Sequence, residues 1–363
     1  MKYSTVQPST SLSYHHGQPS KLVARHVWQA LRYGVALSLL VVVLPAKAWA
    51  QQSFTNPLQT NGPDPWVAQR NGYYYYTNTL GNRIALWKTQ QLSEVGKAQP
   101  VTVWMPPATG PNSTQIWAPE LHYLQGKWYL YYTAADKAHP DDDHRYVFVL
   151  ENASADPTRG QWVDKGKVNT KYTGLDGSVF KHGDKQYFLY SAYVGPQSVL
   201  CIAPLQNPWT IDQSKEAIIA RPTYAWEKGG GRQILEGPEF LQGKKGQLFI
   251  VYSASACWDD NYSLGMLTAA KGQDPLRAES WTKAPQPVFK PSPENHVWGT
   301  GHNGFAKSPD GRDWLVYHAK SQADGKCEGR SSRMQPFTWR PDGSPDFGVP
   351  VSLETPLRWP AGR

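Results

Sequence analysis

Sulfur and charge are scarce in this 363-residue chain. Three cysteines, Cys201, Cys257 and Cys327, fit no zinc-binding spacing. Their odd number leaves at least one thiol unpaired, so a disulfide scaffold is excluded and at most one bridge can form. No apolar run approaches the roughly 20 residues that a membrane span requires. The longest, VALSLLVVVL at 35–44, follows Lys21, Arg25 and Arg32 and precedes the small-residue stretch AKAWA at 46–50. That order is the pattern of a secretory signal. Residues 1–50 are therefore expected to be removed on export to the periplasm or the medium, leaving 51–363 as one catalytic domain without stable membrane insertion. Five of the Lys/Arg residues behind the net charge of +8 lie in this leader, which has no acids. The remaining chain has no Lys/Arg block, which argues against nucleic acid as a partner. Sustained helical periodicity is also missing.

Aromatic residues are abundant instead, with 16 Trp and 20 Tyr. Many fall in a recurring unit. DPWVAQRNGYYYYTNT (64–79), APELHYLQGKWYLYYTAA (118–135), DGSVFKHGDKQYFLYSAY (176–193), EGPEFLQGKKGQLFIVYSAS (236–255) and HNGFAKSPDGRDWLVYHAK (302–320) share one plan. A short apolar or alternating segment is followed by a polar turn with glycine and then a β-rich strand, the signature of a hairpin. Aligned on Gly72, Gly126, Gly183, Gly246 and Gly311, the units are 54, 57, 63 and 65 residues apart. Each has room for a four-stranded sheet. The expected fold class is all-β, a five-bladed β-propeller.

In such an array, equivalent residues of the inner strands meet around one axis. The heads of the five units are Asp64, Ala118, Asp176, Gly237 and His302, with Glu236 one place before its column. Three acids at one mouth raise one another's pKa, a cost met chiefly at functional sites. Two carboxylates flanking a glycosidic bond are the machinery of glycoside hydrolysis. Asp64 is the candidate base, Glu236 the candidate acid and Asp176 a modulator; composition alone does not order them. Glu239 is a rival acid three residues beyond Glu236. Glu120, its equivalent in the second unit, suits a structural or substrate-bonding role. HPDDDHR at 139–145 suits a solvated loop, a pocket rim or a cation site.

The motifs GPDPWV (62–67), IWAPELHYLQGKWYLYYTA (116–134), LDGSVF (175–180), EGPEF (236–240) and GTGHNGF (299–305) resemble those of glycoside hydrolase family 43. PPATGPNSTQIWAPELH (106–122), HRYVFVLENASADP (144–157), SPENHVWGTGHNGF (292–305) and RMQPFTWRPDGSPDFGVP (333–350) resemble its exo-α-L-arabinofuranosidase subgroup. The resemblance implies an inverting five-bladed enzyme that releases terminal arabinofuranose from α-1,5-linked arabinan, arabinoxylan or arabino-oligosaccharides. It puts the base on Asp64, the modulator on Asp176 and the acid on Glu236. Arg333 would contact the terminal sugar, and Trp66 and Trp117 would stack on it or pack in the core. His302 would sit at the channel centre near a calcium or sodium ion, with no cofactor required for the chemistry. A β-xylosidase or endo-arabinanase on the same fold, and a sugar-binding propeller without turnover, are the alternatives.

Overall fold

The computed structural model describes residues 51–360. The expected leader at 1–50 lies outside the described residues. The fold is all-β. Helical structure among the described residues is confined to short 3-10 turns, the longest at Ala225–Gly231.

Strands follow one another in five antiparallel groups. The first comprises Trp66–Arg70, Tyr73–Thr77, Ile84–Thr89 and Val101–Trp104. The second comprises Thr114–Leu124, Lys127–Ala135, Arg145–Asn152 and Val163–Lys167. Gly174–His182, Lys185–Val194, Gln197–Asn207 and Ala217–Ala220 form the third. Gln233–Gln242, Leu248–Ala254, Ser263–Ala269 and Thr282–Lys283 form the fourth. Trp298–Lys307, Asp313–Lys320 and Ser331–Pro336 form the fifth. The third and fourth groups are joined by a short parallel pairing, Gln197 with Gln233 and Ser198 with Ile234. The hairpin glycines Gly72, Gly126, Gly183, Gly246 and Gly311 all take positive φ, between 60° and 87°, where a side chain would be strained.

Period-2 alternation explains why the aromatic strands are two-faced. In YYYYT, Tyr74 and Tyr76 join a cluster with Trp314, Val316 and Met334 of the fifth group, while Tyr75 packs with Leu121, Trp128 and Leu130 of the second. Tyr131 faces Phe188 and Tyr190, whereas Tyr132 turns back to the first group. Leu189 faces Ile250 and Tyr252. Val251 faces Leu315 and Tyr317. Five apolar clusters thus lie between successive groups, including one between the fifth and the first. The leading strand of each group also contacts that of the next, and Trp298–Lys307 contacts Trp66–Arg70. A single Trp314→Ala change, at a site with no exposure, would cost about 3–5 kcal/mol by cavity formation.

Backbone bonds reinforce the contact between the last group and the first. The Asn56 side chain donates to the Met334 carbonyl at 3.0 Å and accepts from its N–H at 2.9 Å. Leu58 N–H donates to Ser332 O, and Gly62 N–H to Arg330 O. Gln51–Phe54 then pairs antiparallel with Leu357–Pro360.

Candidate active site

All five residues at the unit heads have left-handed backbones: Asp64 (φ 54°), Ala118 (41°), Asp176 (56°), Gly237 (52°) and His302 (45°). Non-glycine residues rarely adopt this region, and local strain of this kind persists only where the surroundings enforce it. The second strand of each hairpin, or the residues just past its end, provides that restraint. Thr79 Oγ1 accepts from Ala118 N–H at 2.7 Å, Thr133 Oγ1 from Asp176 N–H at 3.0 Å, and Ser253 Oγ from His302 N–H at 2.7 Å. Ser191 Oγ donates to Leu235 O at 2.6 Å. His318 Nδ1 accepts from Asp64 N–H at 3.1 Å. Each link runs from one group to the next, and the last runs from the fifth to the first.

Three of these heads, Asp64, Asp176 and His302, line a cavity of about 410 Å³, within the range of small-molecule sites (about 300–1,000 Å³). Its walls include Asp64, Asp176, Glu236, His302, Trp117 and Arg330. Burial by itself would raise the Asp64 carboxyl. Arg330, whose guanidinium donates to Asp64 Oδ1 at 2.8 Å, is the largest opposing influence, and the carboxyl is held well below the usual range. His302 and His318 stand 3.4 and 3.3 Å from the same oxygen. Burial depresses both imidazoles, His318 to about 3. Because His318 Nδ1 accepts the Asp64 N–H, its hydrogen is on Nε2, which has no partner. Both rings are therefore neutral at ordinary pH, and Arg330 is the standing cation beside Asp64.

Glu236 and Asp176, in the same cavity, have the reverse character. Burial raises Glu236 to about 7, aided by the Asp64 charge and opposed by Tyr262, Arg330 and Arg232. Tyr262 donates its hydroxyl hydrogen to Glu236 Oε1 at 2.7 Å. Asp176 is pushed well above the normal carboxyl range by burial and by the Glu236 charge, although Gly237 N–H donates to its Oδ2 at 2.9 Å. Separated carboxyl pKa values mark a base poised ionised and an acid poised protonated.

Other sequence-derived candidates are placed differently. Trp66 does not line the cavity. It lies two residues past Asp64, donates its indole N–H to Leu121 O at 3.0 Å and packs on His122. Glu120, likewise two residues past its column, is buried and bonds His122 Nε2 at 2.8 Å. Glu239 is buried beside Ser178 and pushed far up by burial and by Glu120. Neither glutamate reaches the cavity wall. Arg333 also stands apart: it is fully buried in the third strand of the fifth group, opposite Tyr317, and donates to Ser331 and Ser321. Only the loop entering that strand approaches the mouth, and it brings Arg330. Trp117 does line the cavity, with the Arg145 guanidinium 4.5 Å from its ring centroid.

Sequence reasoning passed over Arg330, Tyr262, His318, Arg145, Arg232 and Trp258. His318 alone had a periodic signal, since it occupies the place of Thr79, Thr133, Ser191 and Ser253. From the acidic loop, Asp142 does rim the cavity, bonded by Arg145 and by Arg232 at 2.9 Å. Among the described residues, His139, Asp141 and His144 of that loop, all exposed, place potential ligand atoms within 4.8 Å of one another. Cys257 and Cys327 form a disulfide at the cavity wall, leaving Cys201 free and buried.

The family described as Glycosyl hydrolases family 43 matches residues 54–345. An "Extracellular exo-alpha-(1->5)-L-arabinofuranosidase" of Streptomyces avermitilis is 38% identical over 89% of this chain and 70% of its own length. A protein of the same description from Streptomyces chartreusis is 35% identical over 79% of this chain and 89% of its own. The crystal structure of an α-L-arabinofuranosidase from Lactobacillus brevis superposes with a TM-score of 0.78 at 34% identity, covering 83% of this chain and 98% of that one.

Proposed function

Since the chain belongs to glycosyl hydrolases family 43, we propose that it is an exported, inverting, exo-acting α-L-arabinofuranosidase with α-1,5-linked arabinan or arabino-oligosaccharides as substrate. Its five strand groups are read as the blades of a propeller. The five inter-group clusters and the chain of polar links from each hairpin to the next support that reading. The disulfide fits an exported protein. So do the relatives described as extracellular.

One observation carries the mechanism: Asp64 is kept ionised by Arg330 at the same mouth where burial keeps Glu236 protonated to about pH 7. Asp64 takes a proton from water as the oxygen attacks the anomeric carbon. Glu236 gives its proton to the glycosidic oxygen as the old bond breaks. The base ends protonated, the acid ends ionised, and exchange with solvent resets both. Water enters on the face opposite the leaving group, so the product has inverted configuration. Asp176 shares the electrostatic environment of Glu236 and tunes its proton affinity. Trp117 offers a ring face to the terminal furanose. The Asp142–Arg145–Arg232 cluster and the disulfide wall off the mouth, which favours removal of chain ends over cleavage within an open groove.

A calcium or sodium ion near His302 belongs to the same proposal. Burial leaves the imidazole neutral, with a lone pair to offer, and the Asp64 and Glu120 charges act on it. An ion there would add positive charge to the channel; no proton-transfer step passes through it. The whole reading is tested by product analysis on linear and branched arabino-oligosaccharides, with the released anomer followed by NMR. Release of single β-arabinofuranose units from α-linked chain ends is expected. Xylose release, internal cleavage or retention of configuration would overturn it.

A further inference from the structure

Trp258 has no part in the hydrolytic steps, yet it lines the cavity and is 39% exposed, one of the few large apolar side chains left open. It lies in the loop that leaves Leu248–Ala254, the strand paired with that of Glu236 through Glu236–Ser253. It is therefore at the mouth of the acid's own sheet, whereas Asp64 belongs to the first. Arg232, four residues before Glu236 on the facing strand entry, lines the same wall.

The loop is braced on two sides. Trp258 donates its indole N–H to Gly230 O at 2.9 Å, so the polar edge is occupied and the ring face remains free. Gly230 has φ +68°, and a Cβ there would stand 2.7 Å from Ala256 Cβ and 2.9 Å from Trp258 Nε1. Only glycine permits this approach. On the other side, the neighbouring Cys257 is bonded to Cys327. The ring is thus ordered before any ligand arrives, which reduces the entropy lost on binding.

We propose that Trp258 is the platform of a leaving-group subsite, stacking on the apolar C–H face of the sugar whose oxygen Glu236 protonates. This rests on the arabinofuranosidase reading above. The departing group leaves on the acid's side, and Trp258 is the exposed aromatic ring on that side. Its contribution depends on there being a sugar beyond the scissile bond.

The test compares kcat/KM for methyl α-L-arabinofuranoside, whose leaving group is too small to stack, with that for α-1,5-linked arabinobiose. Trp258→Ala is expected to lower the arabinobiose value about tenfold, within the range of an aromatic contact, and to leave the methyl glycoside within about twofold. Trp258→Phe should recover most of the loss, and thermal melting of both variants controls for folding. Equal losses on both substrates, or no loss on either, would overturn the subsite. A wild-type enzyme inactive on both arabinosides would instead refute the parent reading.

Discussion

Replacing Arg330 by methionine keeps most of the side chain's length and removes its charge. The guanidinium bonds Asp64 at 2.8 Å, and the two side chains are 17% and 11% exposed. Unit charges centred about 4 Å apart interact by about 4 kcal/mol at an effective dielectric constant of 20. Partial exposure and rearranged water reduce this to an estimated 2–3 kcal/mol, or about 1.5–2 pH units on Asp64. Loss of a cation disfavours the carboxylate, so its pKa rises. Asp64 must be ionised in the free enzyme, and the acid limb of the kcat/KM profile should therefore move up by about that amount. Arg330 also lowers Glu236, though less than Tyr262 does, so the alkaline limb near pH 7 should rise too, by a smaller step. The assay is the pH dependence of kcat/KM on an aryl α-L-arabinofuranoside. A profile that drops in height with both limbs unmoved would refute the electrostatic role and leave Arg330 as a structural or sugar-contacting residue.

Asp64→Asn and Glu236→Gln should each reduce kcat on arabino-oligosaccharides at least about a hundredfold, and near-wild-type turnover by either would remove that residue from the mechanism. Asp176→Asn should shift the alkaline limb, because Asp176 and Glu236 ionise against one another in the same buried site; an unmoved limb would leave Asp176 with a positioning role only. Glu239→Gln should stabilise the fold at high pH. The carboxyl is raised in the folded state, so its stabilising protonation is fully present below the unfolded pKa and is lost as pH rises toward the folded value. The melting-temperature gain of the variant should then grow from pH 5 to pH 8, at up to about 1.4 kcal/mol per pH unit, and a gain independent of pH would refute the assignment.

The repeating architecture was legible because a strand broadcasts its two faces at period 2. Tyr74, Tyr75 and Tyr76 needed partners on both sides, and five such strands at a spacing of 54–65 residues imply five inter-sheet seams. The alignment on hairpin glycines also selected residues of one backbone conformation, since all five head residues have positive φ. Aperiodic pieces had no such signal. The stretch around Asn56 and Leu58 docks on Met334 and Ser332, over 270 residues away, through side-chain amide and backbone bonds that leave no pattern in sequence.

The same division runs through the site. Asp64, Asp176, Glu236 and His302 come from the heads of repeats, so counting found all of them at the cavity wall. Arg330, Arg232, Asp142 and Trp258 come from loops, where neighbours in space are set by a disulfide, by glycine turns and by ion pairs. Arg333 and Arg330 both lie in GRSSRMQ, but a residue inside the third strand is carried into the sheet, while one in the loop before it turns to the mouth. Trp66 shows a complementary limit, because two residues along an inner strand separate the cavity wall from the packed interior. His318 was readable in principle. It stands where the four other hairpins place Thr79, Thr133, Ser191 and Ser253, and at that place a side chain is required to bond the next group. An imidazole there meets the same requirement with an acceptor nitrogen, which also stands 3.3 Å from the Asp64 carboxylate. The departure from hydroxyl to histidine in that column occurs at the link bearing the proposed base, so a deviation within a repeat is as informative as the repeat itself.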